Sequence, residues 1–381
     1  PIIESLAGPG TGVLVANTST PRNVEQEAES FSAFAQLNWQ LSEKITITGG
    51  ARFTKEKKTG SRNLVISQLD FNPLPPPISP FVEGIYSGIF NIRNHELSGT
   101  RDKSYFLPSF NLKYEANENM MAYFSYSKGK KTGGFDARSN NSPLFGGSFE
   151  FEDEEADSFE IGTKLTAFDG RAELNLAAYY TSVKDLQVSA FDGVLGFNVG
   201  NAAKAEAKGL EIDGRWRLTE RLLVNGALSL SDFEYRKYSG QCYFGKSPDA
   251  ADGINCDYSG KTTQYLPDYS YHFSINYERS VLEGKIFNAV LDVLKTDDYY
   301  LTATLDPRAI QEGFTRLNGY LSLAGQDNKW ELALIGKNLT DEEIITHAAT
   351  VPLAGSNFGA HGFFGFIQQP RTFALQASLR Y

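Results

Sequence analysis

The segment Gly240-Gln-Cys-Tyr-Phe-Gly-Lys-Ser247 satisfies G-x-x-x-x-G-K-S, the spacing at which backbone amides and a lysine cradle phosphates. That chemistry needs a helix directly downstream, whose first amides point at the anion. Pro248-Asp-Ala-Ala-Asp-Gly-Ile-Asn255 follows instead and lacks helical apolar periodicity, so the match reads as coincidence. Glu150, Glu152, Asp153, Glu154, Glu155 and Asp157 crowd six acids into eight residues. Such a run could hold Ca²⁺, but charge runs ordinarily face water, and a solvated rim at a strand end is the favoured reading. His95, His272, His347 and His361 are scattered without H-E-x-x-H or paired-ligand spacing, which favours simple polar roles and no bound metal. Asn338-Leu-Thr340 matches a glycosylation sequon but reads better as the upper part of a strand. No nucleophile–base constellation is visible, so nothing here points to an enzyme or to a resident cofactor.

Composition narrows the class of protein that could position these residues. The 381 residues carry 36 Lys+Arg against 46 Asp+Glu, a net charge of −10, which argues against a nucleic-acid surface. No window approaches the roughly 18 to 20 uncharged apolar residues of a membrane-spanning helix. The chain opens on Pro1 with neither Met nor a signal stretch, as expected of an interior piece of a longer product.

Alternation is the dominant structural signal. Leu210, Ile212, Gly214, Trp216 and Leu218 fall on one face against Glu211, Asp213, Arg215, Arg217 and Thr219 on the other. The same period runs through Ile45, Ile47, Gly49, Ala51 and Phe53, through Leu174, Leu176, Ala178 and Tyr180, and through Phe373, Leu375, Ala377, Leu379 and Tyr381. Thirteen strands are expected, starting near residues 31, 44, 102, 119, 154, 171, 199, 221, 262, 284, 313, 329 and 367. Short polar turns (41–44, 115–119, 168–171, 218–221, 279–285, 325–329) alternate with long links (59–101, 132–153, 191–202, 238–261, 301–313, 345–368). Sorting of loops by length is the mark of an outer-membrane barrel, an all-β, antiparallel transmembrane β-barrel. Trp39, Phe53, Tyr180, Trp216, Tyr277 and Tyr381 are expected at strand ends as interfacial girdles. Slipping the strand at 210–219 by one residue would turn Arg215 and Arg217 toward lipid, at roughly 2–4 kcal/mol each near the midplane. Thirteen antiparallel strands cannot close on themselves, so residues 1–30 read as a partial outer loop and 31–381 as the C-terminal part of a larger barrel.

Several stretches resemble the C-terminal half of a TonB-dependent outer-membrane receptor. They are Phe31-Ser-Ala-Phe-Ala-Gln36 with Gly49-Gly-Ala-Arg-Phe53, Met121-Ala-Tyr-Phe-Ser-Tyr-Ser-Lys-Gly-Lys-Lys-Thr-Gly-Gly-Phe135, and Ser158-Phe-Glu-Ile-Gly-Thr-Lys164. Asn201-Ala-Ala-Lys-Ala-Glu-Ala-Lys-Gly-Leu-Glu-Ile212, Lys337-Asn-Leu-Thr-Asp341 and Pro370-Arg371 before a last strand ending in Tyr381, the aromatic read by barrel assembly, complete the set. The resemblance implies a 22-stranded barrel with these as strands 10 to 22, a location in the outer membrane of a Gram-negative bacterium, and partners in the TonB complex, the barrel-assembly machinery and lipid. The family's N-terminal plug and TonB box have no counterpart here. In that compartment Cys242 and Cys256 are expected to be bonded. Lys130, Lys131, Phe135, Arg138, Tyr243, Phe244, Tyr265, Tyr299, Tyr300, Phe358, His361, Phe363 and Phe364 lie at or above the strand tops. Rigid aromatics with a few cations could catch an anionic small molecule such as a ferric chelate, or could simply pack the loops on one another. The expectation is active import of a scarce solute, by default a ferric siderophore. Haem, cobalamin or oligosaccharide import stays open, as do a passive porin and, without visible 40-residue repeats, a soluble propeller.

Overall fold

The computed structural model describes residues 2–192, 194–282, 284–327, 329–354, 359–360 and 362–380. Thirteen long strands form one sheet in which every neighbour in sequence is an antiparallel neighbour in space. They are β1 (Arg22–Gln40), β2 (Ile45–Leu64), β3 (His95–Asn117), β4 (Met120–Lys131), β5 (Glu154–Ala167), β6 (Ala172–Phe191) and β7 (Phe197–Thr219). They continue as β8 (Leu222–Lys237), β9 (Tyr269–Leu282), β10 (Lys285–Thr296), β11 (Phe314–Gly325), β12 (Trp330–Lys337) and β13 (Thr372–Leu379). The sheet is an antiparallel meander that leaves one edge each of β1 and β13 without a described partner, so the barrel wall is open.

Register carries the alternation of each strand into one continuous face. Leu174, Gly214, Gly226 and Phe273 lie side by side across β6 to β9, with the row Leu176, Ile212, Leu228 and Tyr271 next to them. On β10 to β13 the same face carries Leu291 beside Gly319, Leu321 beside Leu334, and Leu334 beside Leu375. Its side chains are exposed, Leu375 at 73% and Leu321 at 47%, a much larger apolar surface than a soluble monomer shows. The opposite face carries polar cross-strand pairs such as Arg215 with Glu173 at 2.6 Å, and Asn175 donating to Asp213 at 2.9 Å. The opposite polarity of the two faces is what holds the register, because a one-residue slip exchanges them.

Boundaries differ from expectation where strands outrun their apolar segment. β1 begins at Arg22 rather than near residue 31, and β2 and β3 stay paired from Ile45↔Tyr114 up to Leu64↔His95. Phe53 and Tyr180 therefore sit mid-strand. Each is eight residues from the short-turn end of its strand, about 20 Å at the usual rise and tilt, which is the far side of an apolar band about 25 Å tall. The long link expected over 191–202 shortens to the five residues between β6 and β7, because these strands pair as far as Phe191↔Phe197. Asn338 lies in a turn just past β12, not in a strand: its φ is +50°, its side-chain oxygen accepts from Glu342 N–H and its amide donates to Glu342 O. Tyr381 lies outside the described residues.

The loops carry the small apolar cores. Helix Ser79–Ile89, hidden in the sequence by its brevity and its glycines, packs Val82 with Leu64, Ile66, Leu74 and Ile92. Cys242 and Cys256 are bonded, and Cys256 is buried with Tyr235 and Tyr258.

Candidate ligand-binding mouth

The loop between β4 and β5, residues 132–153, is held down by three arginines of the wall, Arg22, Arg62 and Arg101. Arg62, fully buried on β2, donates to His95 Nε2 (3.0 Å), Asp136 O (2.6 Å) and Asn141 O (2.7 Å), and its guanidinium lies over the Phe149 ring. Burial lowers its pKa to about 10, partly offset by Asp136 and deepened by Arg22. Burial also lowers His95, with Arg62 and Arg22 adding to the effect and the Arg93 carbonyl opposing it. Its Nδ1 lies 2.8 Å from Arg93 O, so the neutral ring donates there and accepts from Arg62. Arg22 reaches Asn140 Oδ1 and Ala137 O on the same loop.

Arg101 on β3 gathers Glu150 (2.6 Å), Glu152 (2.9 Å) and Asp153 (3.1 Å). Lys128, Lys130 and Lys131 take Glu155, Asp157 and Glu154. The six acids thus face five bases, counting Lys103 beside Glu152, and no group of three or more metal-binding side chains stands free for a cation among the described residues. Burial pushes Asp153 up, but the Gly133 N–H, Arg101 and Lys130 outweigh it and hold the carboxyl below its ordinary value. The hydrogen bond from Arg101 lowers Glu152 likewise.

Phe135, expected at the mouth, has its ring packed inside the loop. It is buried against Phe149, over the facing glycines Gly60 and Gly99, whose missing Cβ atoms leave room for it. Lys130 is engaged by Asp153 and Glu155 and lies over Tyr105, Lys131 is 4.0 Å from Glu154, and Arg138 donates to Ser189 over the Phe197 ring.

A second assembly joins loops 238–268, 297–313 and 338–371. Tyr265 Oη lies 2.8 Å from His347 Nδ1, and His347 is flanked by Phe364 and Phe366 with centroids at 6.4 and 6.0 Å. Tyr299 stands 6.3 Å from Tyr265, and Tyr300 O accepts from Tyr265 N–H. Phe363 packs with Tyr299 on Leu301 and Ala348. Arg308, anchored by Asp306, lies over Tyr243 and donates to Phe244 O, and Tyr258 Oη contacts Gln241 O and Thr304 O across the loops. No helix follows Gly240–Ser247, and Lys246 pairs with Asp249, so no phosphate cradle forms.

Beside these rings the wall itself is hollow. A cavity of about 490 Å³ is lined by Asp292, Arg316, Asn318, Lys337, Gln368 and Gln369. Arg316 Nη1 donates to Gln368 Oε1 at 2.6 Å, while its buried Nε has no partner among the described residues. Gln368 N–H in turn donates to Ile344 O, three residues from His347. The structure thus brings together Tyr265, Tyr299, Tyr300 and Phe363, and sets Tyr243 and Phe244 against Arg308 in another part of the loop that carries Tyr265; Phe358 and His361 lie outside the described residues. Sequence reasoning missed His347 as the centre of the cluster, Phe366, Arg316 and Lys337. Only the F-F-G-F run at 363–366 hinted at them.

A family model described as TonB dependent receptor-like, beta-barrel matches residues 5–339, and the chain belongs to that family. Its barrels are outer-membrane receptors and transporters of Gram-negative bacteria. The pesticin receptors of Yersinia enterocolitica and Yersinia pestis are 25% identical over 210 residues, 54% of this chain and 26% of theirs. Among solved structures, the ferric yersiniabactin uptake receptor of Yersinia pestis superimposes with TM-score 0.69 at 18% identity, over 94% of this chain and 46% of that one. The ferric-catecholate import receptor of E. coli K12 gives 0.61 at 16%, over 94% and 45%. The chain spans about a quarter of the curated relatives it matches and just under half of these solved ones.

Proposed function

We propose that the chain forms part of the wall of a TonB-dependent importer whose solute is a ferric siderophore. The apolar face meets the lipid of the outer membrane, the polar face lines the passage, and the TonB complex of the inner membrane supplies the energy through an N-terminal part. The carrying observation is the ring cluster around His347 beside the hollow holding Arg316 and Lys337. Rings offer rigid apolar contact at low entropic cost, and a guanidinium nitrogen without a partner among the described residues offers charge to an anionic chelate. Relatives named for yersiniabactin and catecholate uptake support an iron chelate over haem, cobalamin or oligosaccharide. A deletion strain of the source bacterium, grown on a panel of ferric chelates, should fail on one of them; unchanged growth on every chelate overturns the siderophore reading.

A further inference from the structure

Three places in the sheet set two glycines directly opposite one another among the described residues: Gly60 with Gly99, Gly319 with Gly336, and Gly214 with Gly226. Removing both Cβ atoms from neighbouring strands opens a dent two strands wide, about 10 Å at the usual strand spacing. At the first pair the Phe135 ring fills the dent, and at the second the Leu339 side chain does. At the third, among the described residues, no side chain comes closer than Leu174 Cδ1, 3.5 Å from where a Gly214 Cβ would stand. A Cβ on Gly226 would meet only His272 O and Phe273 Cδ2, both at 3.8 Å, whereas one on Gly214 would press on the Glu173 carbonyl oxygen at 2.7 Å and touch the cross-strand Leu174 side chain at 3.5 Å, so the open half of the dent is at Gly226. The result is a hollow of about 580 Å³ walled by Leu174, Ile212, Trp216, Val224, Leu228 and Phe273.

We propose that this hollow binds an acyl chain of a phospholipid from the leaflet on the short-turn side. All six walls belong to the apolar face, and Gly226 is four residues above the start of β8, about 10 Å up and within the hydrocarbon of one leaflet. At the turn end Phe168 stacks on Trp216 with centroids 5.3 Å apart and planes 9° apart, an aromatic rim at headgroup level. Beyond it the exposed turns carry Asp169 and Arg171, and Glu220 and Arg221, paired charges that suit a headgroup bearing both phosphate and amine. A protein side chain fills each of the other two dents; here the filler comes from the membrane.

The test is native mass spectrometry of the intact receptor, extracted from outer membranes in mild detergent, with heat-modifiable electrophoretic mobility as the check of barrel folding. The unaltered protein should keep one phospholipid, of phosphoethanolamine type. Gly226→Ala, which meets nothing closer than ordinary contact, should keep it too. Gly226→Phe, or Gly226→Leu if the larger ring prevents folding, should lower the lipid-bound fraction about tenfold or more by occupying the site. No retained lipid on the folded unaltered barrel, or equal retention in a folded filled variant, overturns the proposal. So does a dimer that dissociates on filling, which would put a second copy in the hollow. None of these readouts depends on which solute is imported.

Discussion

Arg62 is the residue whose replacement tests most of the loop architecture at once. Arg62→Met keeps much of the volume but removes three donors, stranding the carbonyls of Asp136 and Asn141 and the Nε2 of His95. Each buried acceptor left without a partner costs about 1–3 kcal/mol, and relief of the desolvated charge returns part of that, for a net loss of about 4 kcal/mol in the anchoring of residues 132–153. At 1.4 kcal/mol per decade the opened population of that loop rises about a thousandfold. Trypsin cleavage after Arg138, whose side chain is about half exposed, reads that population when opening is fast relative to cutting. Mass spectrometry of receptor in outer-membrane vesicles should show cleavage at Arg138 accelerating steeply, with the wall itself intact. Cleavage no faster than in the unaltered protein would refute the claim that this buried guanidinium holds the loop.

The same loop should loosen on acidification in two stages. His95 has its folded pKa depressed, so the stability it contributes is present above its unfolded value near 6.5 and is lost as pH falls through the lower folded value; Asp153 and Glu152, also depressed, follow below their unfolded values near 4. Protection of Arg138 from trypsin-like cleavage that stays flat from pH 7 to 3 would contradict this. Reducing Cys242–Cys256, which closes a 14-residue separation, should cost the loop about 3 kcal/mol, seen as faster hydrogen exchange over 238–268; unchanged exchange would contradict it. His347→Ala should weaken binding of the imported chelate about tenfold or more by opening the ring cluster, measured by fluorescence titration, while Lys131→Ala, at an exposed pair, should leave it unchanged. Equal affinities for the two variants would remove the cluster from the site.

The wall was legible because its signal is local. Each strand shows its apolar and its polar face within ten residues, so all thirteen emerge from alternation alone, and alternate neighbours follow from short turns. The strand tops were not legible: Glu25, Glu27 and Glu29 on β1 face Ser61, Thr59 and Lys57 on β2, paired by backbone above any apolar band, and such charged alternation looks like loop. Ile345–Thr350 pairs with Phe363–Ile367 in a ribbon of its own, which delays β13 to Thr372. The mouth was half legible. Aromatic types marked Tyr265 and Tyr299, but the burial of Arg62 and Arg101, which turns Phe135 and Lys130 into packing, comes from contacts about 35 to 80 residues apart, as does the meeting of Tyr265 with His347. Likewise, the acid run found its bases only once β3, β4 and β5 lay side by side.

Spin labels placed one at a time from 210 to 217 on β7, in receptor reconstituted into bilayers, test the central claim most directly. The account predicts a period of two: high collision with oxygen dissolved in lipid at positions 210, 212, 214 and 216, and high collision with a water-soluble nickel chelate at 211, 213, 215 and 217. Equal accessibility to both relaxers along the strand, or lipid contact at 213 and 215, would contradict it.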